Sequence, residues 1–442
     1  MITEQLYQLF LQHPVISTDT RRIAPGSMFF ALKGDKFDAN KFAEQAIASG
    51  AAYAVIDNAA YKISEQYILV DDVLEALQDL ARYHRKQLNI PVVGLTGTNG
   101  KTTTKELINA VLSQHFNTQA TQGNLNNHIG VPLTILTINS THEAAVIEMG
   151  ANHQLEIELL SSIAQPTLGL ITNVGKAHLE GFGGIEGVKK AKGELYDYLA
   201  IHPGVERELR TVFINHDDNT LLTMAGARSF ENVVYYGTQG EGNIITGKLI
   251  ENSPHLTLEW TKGDAAESYT VKSQLTGVYN LDNILAAISI GTYLGLSADE
   301  INKGIAEYQP KNNRSQIVQT GTNTLICDYY NANPSSMFVA IDNIGKITAD
   351  RKVLILGDMF EMGDEAAAEH KAVIDKAMDT PVDERIFIGP DFYSQAPQGH
   401  EGFYKTVEDV IVALQAKQIK NSTILIKGSR GMALERLVEL FG

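Results

Sequence analysis

The chain has 442 residues, of which 44% are hydrophobic and 20% are charged; this composition excludes a disordered protein and predicts roughly two to four globular domains. The 36 basic and 52 acidic residues leave a net charge of −16, which argues against nucleic acid or an anionic membrane as the main partner. The single cysteine, Cys327, excludes an internal disulfide and favours a reducing, cytoplasmic location.

Neither a signal peptide nor a membrane span is predicted. The first ten residues lack a basic region followed by a long apolar one. The most apolar stretch with a helical period, residues 284–296, is shorter than the ~20 residues needed to cross a bilayer. We therefore expect no membrane insertion.

The first domain is predicted at residues 1–88 and has a mixed α/β pattern. Two strands and a helix are predicted at residues 27–32, 52–56 and 40–49. A helix at residues 73–87 then leads to Pro91, which disfavours helical conformation in the residue before it. We therefore expect a domain boundary after residue 88.

Strands alternate with helices in the central region, predicted at residues 89–309, and this alternation favours a mainly parallel sheet with helices on both faces. Its first strands are predicted at residues 91–95, 144–148, 168–173 and 211–215. Residues 243–275 show short alternating runs and predict a small antiparallel appendage. A helix at residues 280–294 follows, and Ser297 and Glu300 then have the spacing of a capping box.

The third domain is predicted at residues 310–442, after the boundary at Gln309-Pro310. Its strands are predicted at residues 324–327, 352–356, 385–388 and 423–426. Three of them lead into helices, as in Rossmann-like domains, whose ligands gather at the carboxyl ends of the strands. The predicted fold class is therefore α/β with three domains, a small N-terminal domain, a central phosphate-loop domain and a C-terminal Rossmann-like domain.

A phosphate-binding loop is predicted at residues 96–102, Thr-Gly-Thr-Asn-Gly-Lys-Thr, between the strand at 91–95 and a helix at 103–115. Glycines let backbone amides turn toward phosphate oxygens, Lys101 supplies a cation, and Thr102 can reach magnesium. Leu95 stands where the general pattern has its first glycine, so the loop is a shortened variant. The alternative is an ordinary glycine turn with an exposed lysine.

Two further polar residues follow predicted strands of the central domain. Glu148 ends the strand at residues 144–148, where a carboxylate can hold magnesium or can simply be solvated. His178 follows the strand at residues 168–173, and a histidine there is either a ligand or a structural hydrogen-bonding group.

Several other candidates have structural alternatives. Lys192 lies beside Lys189 and Lys190 in a predicted helix, where a solvated basic face is the simpler interpretation. Helix capping alone could explain Asn280 and Asn283, and turn formation could explain the Asn-Ala-Asn-Pro run that begins at Asn331. Residues 427–431, Lys-Gly-Ser-Arg-Gly, repeat the order of strand, basic glycine loop and helix, and could form a second anion site.

Taken together, these motifs resemble the Mur ligases of peptidoglycan synthesis over essentially the whole chain. The matching segments are residues 19–21, 29–34, 96–104, 123–127, 129–132, 148–151, 178–182, 191–194, 329–334, 357–359 and 361–363. The resemblance implies an ATP-dependent ligase that forms an acyl phosphate and then an amide. Its implied substrates are UDP-N-acetylmuramoyl-tripeptide and D-alanyl-D-alanine, and its implied form is a cytoplasmic monomer.

The resemblance also implies roles for individual residues. Those expected to act in catalysis are Lys101, Glu148, His178 and Lys192. Those expected to bind ATP are Thr98, Asn99, Gly100, Lys101, Thr102, Thr103, Asn280, Asn283, Arg314 and Asp328. Those expected around Mg²⁺ are Thr102, Glu148, His178 and Lys192, the last as a carbamylated lysine. Those expected to contact the other substrates are Thr20, Arg21, Lys33, Asn126, Asn127, Asn331 and Asn333.

Three positions depart from the family pattern, which often has glycine and histidine at Ala39 and Asn40 and histidine at Tyr279. The third residue of the peptide, diaminopimelate or lysine, stays open. Another Mur ligase or a folylpolyglutamate synthase-like ligase is the alternative enzyme. A nucleotide-binding switch that hydrolyses ATP slowly is the alternative of a different class.

Overall fold

The computed structural model describes residues 2–202, 209–252, 255–263, 265–311, 313–397 and 401–442. Within these ranges the chain forms three α/β units, whose main sheets have four, nine and six strands. The predicted fold class, α/β with three domains and mainly parallel sheets, is confirmed. None of the helices in the described ranges is both long and apolar enough to cross a bilayer.

The N-terminal unit is a four-stranded parallel sheet of order β1-β2-β5-β6 with a small hairpin, β3-β4. Its strands are β1 (Ile16–Ser17), β2 (Met28–Phe30), β3 (Lys33–Gly34), β4 (Phe37–Asp38), β5 (Tyr53–Ile56) and β6 (Tyr67–Leu69). Its helices are α1 (Thr3–Gln12), α2 (Ala43–Ala48) and α3 (Val73–Gln87).

The helix predicted at residues 40–49 is only partly α-helical, because its start is a 3₁₀ turn, Ala39–Phe42. The buried side chain of Asn40 explains the difference. Its Nδ2 donates to Asp38 and to Asp57, at 2.8 Å in each case, and its Oδ1 accepts from the Asp57 amide. Asn40, one of the departures from the family pattern, therefore joins the hairpin to the end of β5.

Helix α3 has the predicted bounds, because Asp72 caps its start by accepting from the Glu75 amide at 2.8 Å. Its buried Leu77 and Leu80 belong to a hydrophobic cluster that also contains Val131 of the central unit. At its end, His84 Nε2 lies 2.7 Å from the Ile138 carbonyl oxygen. The N-terminal and central units therefore share one core.

The central unit has the strand order β15-β14-β13-β12-β11-β10-β7-β9-β8, parallel from β8 to β13. Its strands are β7 (Val92–Thr96), β8 (Thr118–Ala120), β9 (Ala144–Glu148), β10 (Leu168–Ile171), β11 (Thr211–Asn215), β12 (Asn232–Gly237), β13 (Asn243–Glu251), β14 (Thr257–Lys262) and β15 (Ser268–Lys272). Its helices are α4 (Lys101–Leu112), α5 (Gly130–Leu136), α6 (Glu156–Ala164), α7 (Leu179–Phe182), α8 (Ile185–Ile201), α9 (Asn219–Gly226), α10 (Asn280–Tyr293) and α11 (Ala298–Glu307).

The segment predicted as a small antiparallel appendage is the continuation of this sheet. Strands β14 and β15 are antiparallel as expected, but β13 pairs in parallel with β12. Ile245 and Leu258 are buried in the same cluster as Leu285 of α10. This helix therefore covers both the parallel and the antiparallel parts of one sheet.

The C-terminal unit has the order β16-β17-β21-β18-β19-β20, parallel except for β16. Its strands are β16 (Gln316–Thr320), β17 (Asn323–Asp328), β18 (Lys352–Gly357), β19 (Glu384–Ile388), β20 (Phe403–Tyr404) and β21 (Thr423–Lys427). Its helices are α12 (Pro334–Lys346), α13 (Ala366–Asp379), α14 (Pro390–Ser394) and α15 (Val407–Ala416).

The second anion site considered for residues 427–431 has a different geometry from a phosphate loop. Strand β21 leads into two 3₁₀ helices, Arg430–Met432 and Leu434–Phe441, and not into an α-helix. Lys427 is buried and forms an ion pair with Asp328 at 2.6 Å. The lysine of this loop is therefore engaged within the protein.

Candidate active site

One cavity of about 460 Å³ lies where the carboxyl ends of the central strands face the C-terminal unit. The predicted residues that line it are Thr98, Asn99, Gly100, Lys101, Thr102, Thr103, Asn126, Glu148, His178, Asn280, Asn283, Arg314, Asp328, Asn331 and Asn333. Parallel α/β sheets place their ligands at this edge. The structure therefore brings together the candidates of two domains at one place.

The phosphate loop joins β7, in the interior of the central sheet, to α4, which begins at Lys101 and not at the predicted residue 103. Gly100 has a φ of 78°, and a Cβ atom there would lie 2.6 Å from Asn283 Oδ1, so glycine is required. The side chain of Asn173 accepts from the Asn99 amide at 3.0 Å. These contacts hold the loop against α10 and the end of β10.

Lys101 lies across the loop that precedes it. Its Nζ donates to the carbonyl oxygens of Gly97 and Thr98 at 2.8 and 2.9 Å. Burial lowers the pKa of Lys101 to about 8, against the opposing effect of Glu148. The ammonium group is therefore a weakly solvated cation at the place where a phosphate would lie.

Glu148, at the end of β9, has one satisfied and one unsatisfied carboxylate oxygen. Its Oε1 accepts from Asn126 Nδ2 at 2.8 Å and from Thr102 Oγ1 at 3.3 Å. Its Oε2 is buried and has no hydrogen-bond partner among the described residues. Hard divalent cations prefer such oxygen ligands, and a free carboxylate oxygen beside a threonine hydroxyl fits the donor set of Mg²⁺.

Lys192, on α8, is buried and is not part of a solvated basic face. Its Nζ lies 3.4 Å from the Ala151 carbonyl oxygen and 5.1 Å from the centre of the Phe182 ring. Burial, and secondly the charge of Lys101, lower the pKa of Lys192 to about 7. The residue does not line the cavity, although its neighbour Ala151 does.

Three contacts close the C-terminal unit onto the central one. The Nδ1 atom of His178 is hydrogen-bonded to the Glu361 carboxylate, and burial lowers the pKa of His178. Asn333 Nδ2 donates to Asn99 Oδ1 at 2.8 Å. Lys176 forms an ion pair with Glu369 at 2.5 Å. The central and C-terminal units therefore meet beside the phosphate loop in this structure.

The two asparagines of α10 are both buried beside the loop. Asn283 Nδ2 donates to Asn280 Oδ1 at 2.8 Å, and Asn283 Oδ1 accepts from Thr104 Oγ1 at 2.9 Å. Asn280 Nδ2 donates to the Thr276 carbonyl oxygen at 2.7 Å. Asn280 therefore orients Asn283, and both side chains have more than a helix-capping role.

The structure adds cavity residues for which the sequence predicted no role. Tyr330 is the clearest, because the guanidinium carbons of Arg314 and Arg430 lie 4.0 and 5.2 Å from its ring centre. Tyr279 donates to or accepts from Ser315 at 2.6 Å. Tyr330 lies within residues 329–334, a segment that resembles the family, and Tyr279 stands where the family often has histidine. The sequence therefore marked both positions but not the contacts that the two side chains make.

Five predicted residues lie outside this cavity, namely Thr20, Arg21, Lys33, Asn127 and Lys192. Arg21 is exposed and pairs with Asp19 at 2.7 Å, and Lys33 pairs with Asp57 at 2.6 Å. Asn127 Oδ1 accepts from the Gly130 amide at the start of α5. The substrate-binding roles of the first four residues and the catalytic and metal-binding role of Lys192 remain predictions.

A phosphate loop, a buried carboxylate with a free oxygen and a second α/β unit in contact with the loop define a multidomain nucleotide-binding protein of the phosphate-loop type. Residues 14–85 match the catalytic domain of the Mur ligase family, residues 95–291 the Mur ligase middle domain, and residues 313–430 the Mur ligase glutamate ligase domain. The chain belongs to the Mur ligase family, as the sequence motifs predicted.

Similar proteins cover nearly the whole chain. The UDP-N-acetylmuramoyl-tripeptide–D-alanyl-D-alanine ligase of Escherichia coli is 36% identical over 427 residues, which are 96% of this chain and 92% of that protein. A crystal structure of MurF from Acinetobacter baumannii is 31% identical with a TM-score of 0.84, covering 96% of this chain and 92% of that one. MurF from Thermotoga maritima in complex with ADP is 25% identical with a TM-score of 0.84, covering 97% and 96%.

Proposed function

We propose that this protein joins D-alanyl-D-alanine to UDP-N-acetylmuramoyl-tripeptide, using ATP and an acyl-phosphate intermediate, in peptidoglycan precursor synthesis. The observation that carries the proposal is one cavity in which Lys101 and Glu148 of the central unit meet Asn331 of the C-terminal unit. A relative that bears this name is matched over 92% of its length, which supports the choice of substrates. The proposed enzyme acts as a monomer in the cytoplasm, where ATP and a UDP-linked substrate would meet.

The residues of the cavity suit phosphoryl transfer to a carboxylate. The substrate carboxylate attacks the γ-phosphorus of ATP, and ADP leaves. The neutral amine of the dipeptide then attacks the acyl phosphate, and phosphate and one proton from the amine are released as the amide forms. Negative charge gathers on phosphoryl oxygens in these steps, so catalysis depends on positioning and electrostatic stabilisation. Lys101 and the amides of the phosphate loop supply both, and the closed C-terminal unit excludes water from the acyl phosphate.

Glu148 and Thr102 would hold Mg²⁺, since the buried Oε2 of Glu148 has no other partner among the described residues. When bound, Mg²⁺ neutralises charge on the phosphates. Asn126 supports this arrangement by donating to the second oxygen of Glu148 at 2.8 Å. His178, whose Nδ1 is hydrogen-bonded to Glu361, would present its Nε2 as a further ligand.

Carbamylation of Lys192 is part of the proposal. A neutral amine attacks carbon dioxide, a carbon–nitrogen bond forms, and a proton is released, which leaves an anionic carbamate. Two features of Lys192 favour this reaction: burial brings its pKa down to about 7, and its ammonium group has no carboxylate partner within ion-pair distance among the described residues. The carbamate would replace a positive charge near Lys101 by a negative one.

The test of the carbamate uses three variants and a spectroscopic readout. Lys192→Ala should be nearly inactive and partly rescued by a small carboxylate such as acetate, whereas Lys192→Arg should not be rescued, because its side chain fills the space. With carbon-13-labelled bicarbonate, the native protein should give a carbamate signal that Lys192→Ala lacks. Normal turnover of Lys192→Ala, or the same signal in that variant, would contradict the carbamate.

The test of the overall function is ADP formation with each acceptor and amine, separately and together. A ligase of this kind should form ADP at a substantial rate only when UDP-N-acetylmuramoyl-tripeptide and D-alanyl-D-alanine are both present. Equal ADP formation from ATP alone would favour the nucleotide-binding switch. Activity with a folate acceptor, or with a single amino acid in place of the dipeptide, would favour the alternative ligases. Tripeptides with diaminopimelate and with lysine show which third residue is used.

A further inference from the structure

A second, smaller cavity of about 230 Å³ adjoins the main one within the described part of the chain. The two cavities share the wall formed by His178, Tyr330, Asn331 and Asn333. The rest of the smaller cavity is lined mainly by two loops of the C-terminal unit, at residues 360–362 and 429–431. Its volume is below the ~300–1,000 Å³ of pockets for larger ligands, so it suits a small molecule that reaches into the main cavity.

The walls of this small cavity are held in place before any ligand binds. Phe360 N donates to Ser429 Oγ at 3.0 Å, and Ser429 N donates to the Asp358 carbonyl oxygen at 3.1 Å. Met359 N donates to the buried Nε2 of His370 at 3.0 Å. A Cβ atom on Gly431 would lie 2.6 Å from the Phe360 ring, so the two loops are in close contact. Such preorganisation lowers the entropic cost of binding.

Each of the two cavities has its own arginine, and the small cavity also has a carboxylate, that of Glu361. The ring of Tyr330 lies in both linings, with the guanidinium of Arg314 over it in the main cavity and that of Arg430 over it in the small one. Arg430 forms no ion pair with any residue that the structure describes. At the wall shared with the main cavity, the Glu361 carboxylate meets His178. The small cavity therefore has a guanidinium that stacks on Tyr330 and has no carboxylate partner among the described residues, and a carboxylate, bonded to His178, beside its connection to the phosphate loop.

We propose that Arg430 binds the C-terminal carboxylate of the incoming dipeptide, with the amine of the dipeptide directed past Glu361 and His178 toward the phosphate loop. This assignment rests on the proposed ligase function. A zwitterionic dipeptide matches the two charges, since a guanidinium is well suited to a carboxylate and a carboxylate to an ammonium group. Phe360 and Met362 provide the apolar wall that two methyl side chains need.

The experiment compares D-alanyl-D-alanine with its C-terminal amide, which keeps the amine and both methyl groups but lacks the charged carboxylate. The native enzyme should prefer the acid in kcat/KM by roughly 10- to 100-fold, the range of a hydrogen bond to a charged group. In Arg430→Ala the preference should fall to about threefold or less, while the KM for ATP stays within about twofold. Arg430→Gln should behave like Arg430→Ala, and Arg430→Lys should keep part of the preference.

Arg436→Ala is the matched control, because Arg436 is half-exposed and pairs with Glu408 at 2.6 Å away from the small cavity. It should keep the native preference for the acid. An unchanged acid-to-amide ratio in both Arg430→Ala and Arg430→Gln would overturn the assignment, as would a native enzyme that uses both dipeptides equally. Failure to form ADP with the tripeptide and either dipeptide would instead contradict the ligase function itself.

Discussion

Replacing Glu148 by glutamine should strongly reduce turnover and leave the free energy of unfolding nearly unchanged. The amide keeps an oxygen for the bonds from Asn126 and Thr102, at 2.8 and 3.3 Å, but it removes the charge that the buried Oε2 offers to a cation. We expect a loss of at least about 100-fold in turnover, about 2.7 kcal/mol in the barrier. An unsatisfied buried polar group costs about 1–3 kcal/mol, and more if charged, so removing the charge favours folding. Loss of the attraction to Lys101 acts in the opposite direction, and we expect the free energy of unfolding to stay within about 1 kcal/mol of the native value.

The assay is ADP formation at fixed ATP over a range of Mg²⁺ concentrations, with denaturant unfolding measured on the same samples. Glu148→Gln should need more Mg²⁺ for half-maximal activity, and the pKa of Lys101 should fall further below about 8, because Glu148 now raises it. Glu186→Gln is the control, since Glu186 is an exposed partner of Lys189. Turnover of Glu148→Gln within about threefold of native, with the same Mg²⁺ dependence, would refute the assignment of Glu148 as a metal ligand.

Three further predictions concern other parts of the protein. Lys101→Ala should lose ligation while its circular dichroism spectrum is unchanged, and activity within about tenfold of native, roughly 1.4 kcal/mol, would count against the phosphate loop. Arg21→Ala should raise the KM for the UDP-linked substrate with little change for ATP or the dipeptide; an equal rise for all three would point to misfolding. Burial lowers the pKa of Lys192 to about 7, whereas a lysine in the unfolded chain has a pKa near ~10.4. Between about pH 7 and about pH 10 the unfolded chain therefore binds more protons than the folded one, and this residue makes the free energy of unfolding rise with pH. Lys192→Met should flatten that rise in carbon dioxide-free buffer, and an identical pH profile would contradict the burial of a neutral amine.

Closure of the C-terminal unit has a consequence for how these variants are interpreted. His178 and Asn99 contact Glu361 and Asn333, which are 183 and 234 residues away along the chain. A variant in the C-terminal unit can therefore change the geometry of the phosphate loop without touching a nucleotide. Comparing the KM for ATP with that for the dipeptide distinguishes a local loss of contact from a loss of closure.

The local sequence determined those features whose physical cause lies within a few residues. Asp72 caps α3, and Ser297 and Glu300 form the predicted capping box at the start of α11. Gly100 takes the left-handed conformation that lets the phosphate loop turn into α4. Alternation of strands and helices gave the fold class for the same reason, because hydrophobic periodicity and turn residues are local properties.

Only the tertiary structure decided which distant groups meet. The sequence showed a lysine at 427 in a glycine-rich loop, but the packing of β21 beside β17 pairs it with Asp328 and leaves Arg430 for the small cavity. It showed Lys192 in a row of lysines, but the packing of α8 buries it, and burial lowers its pKa to about 7. It showed alternating runs after residue 243, but the open edge of β12 made them part of the central sheet. These outcomes depend on which surfaces dock and what water they exclude, and no local pattern of residues contains that information.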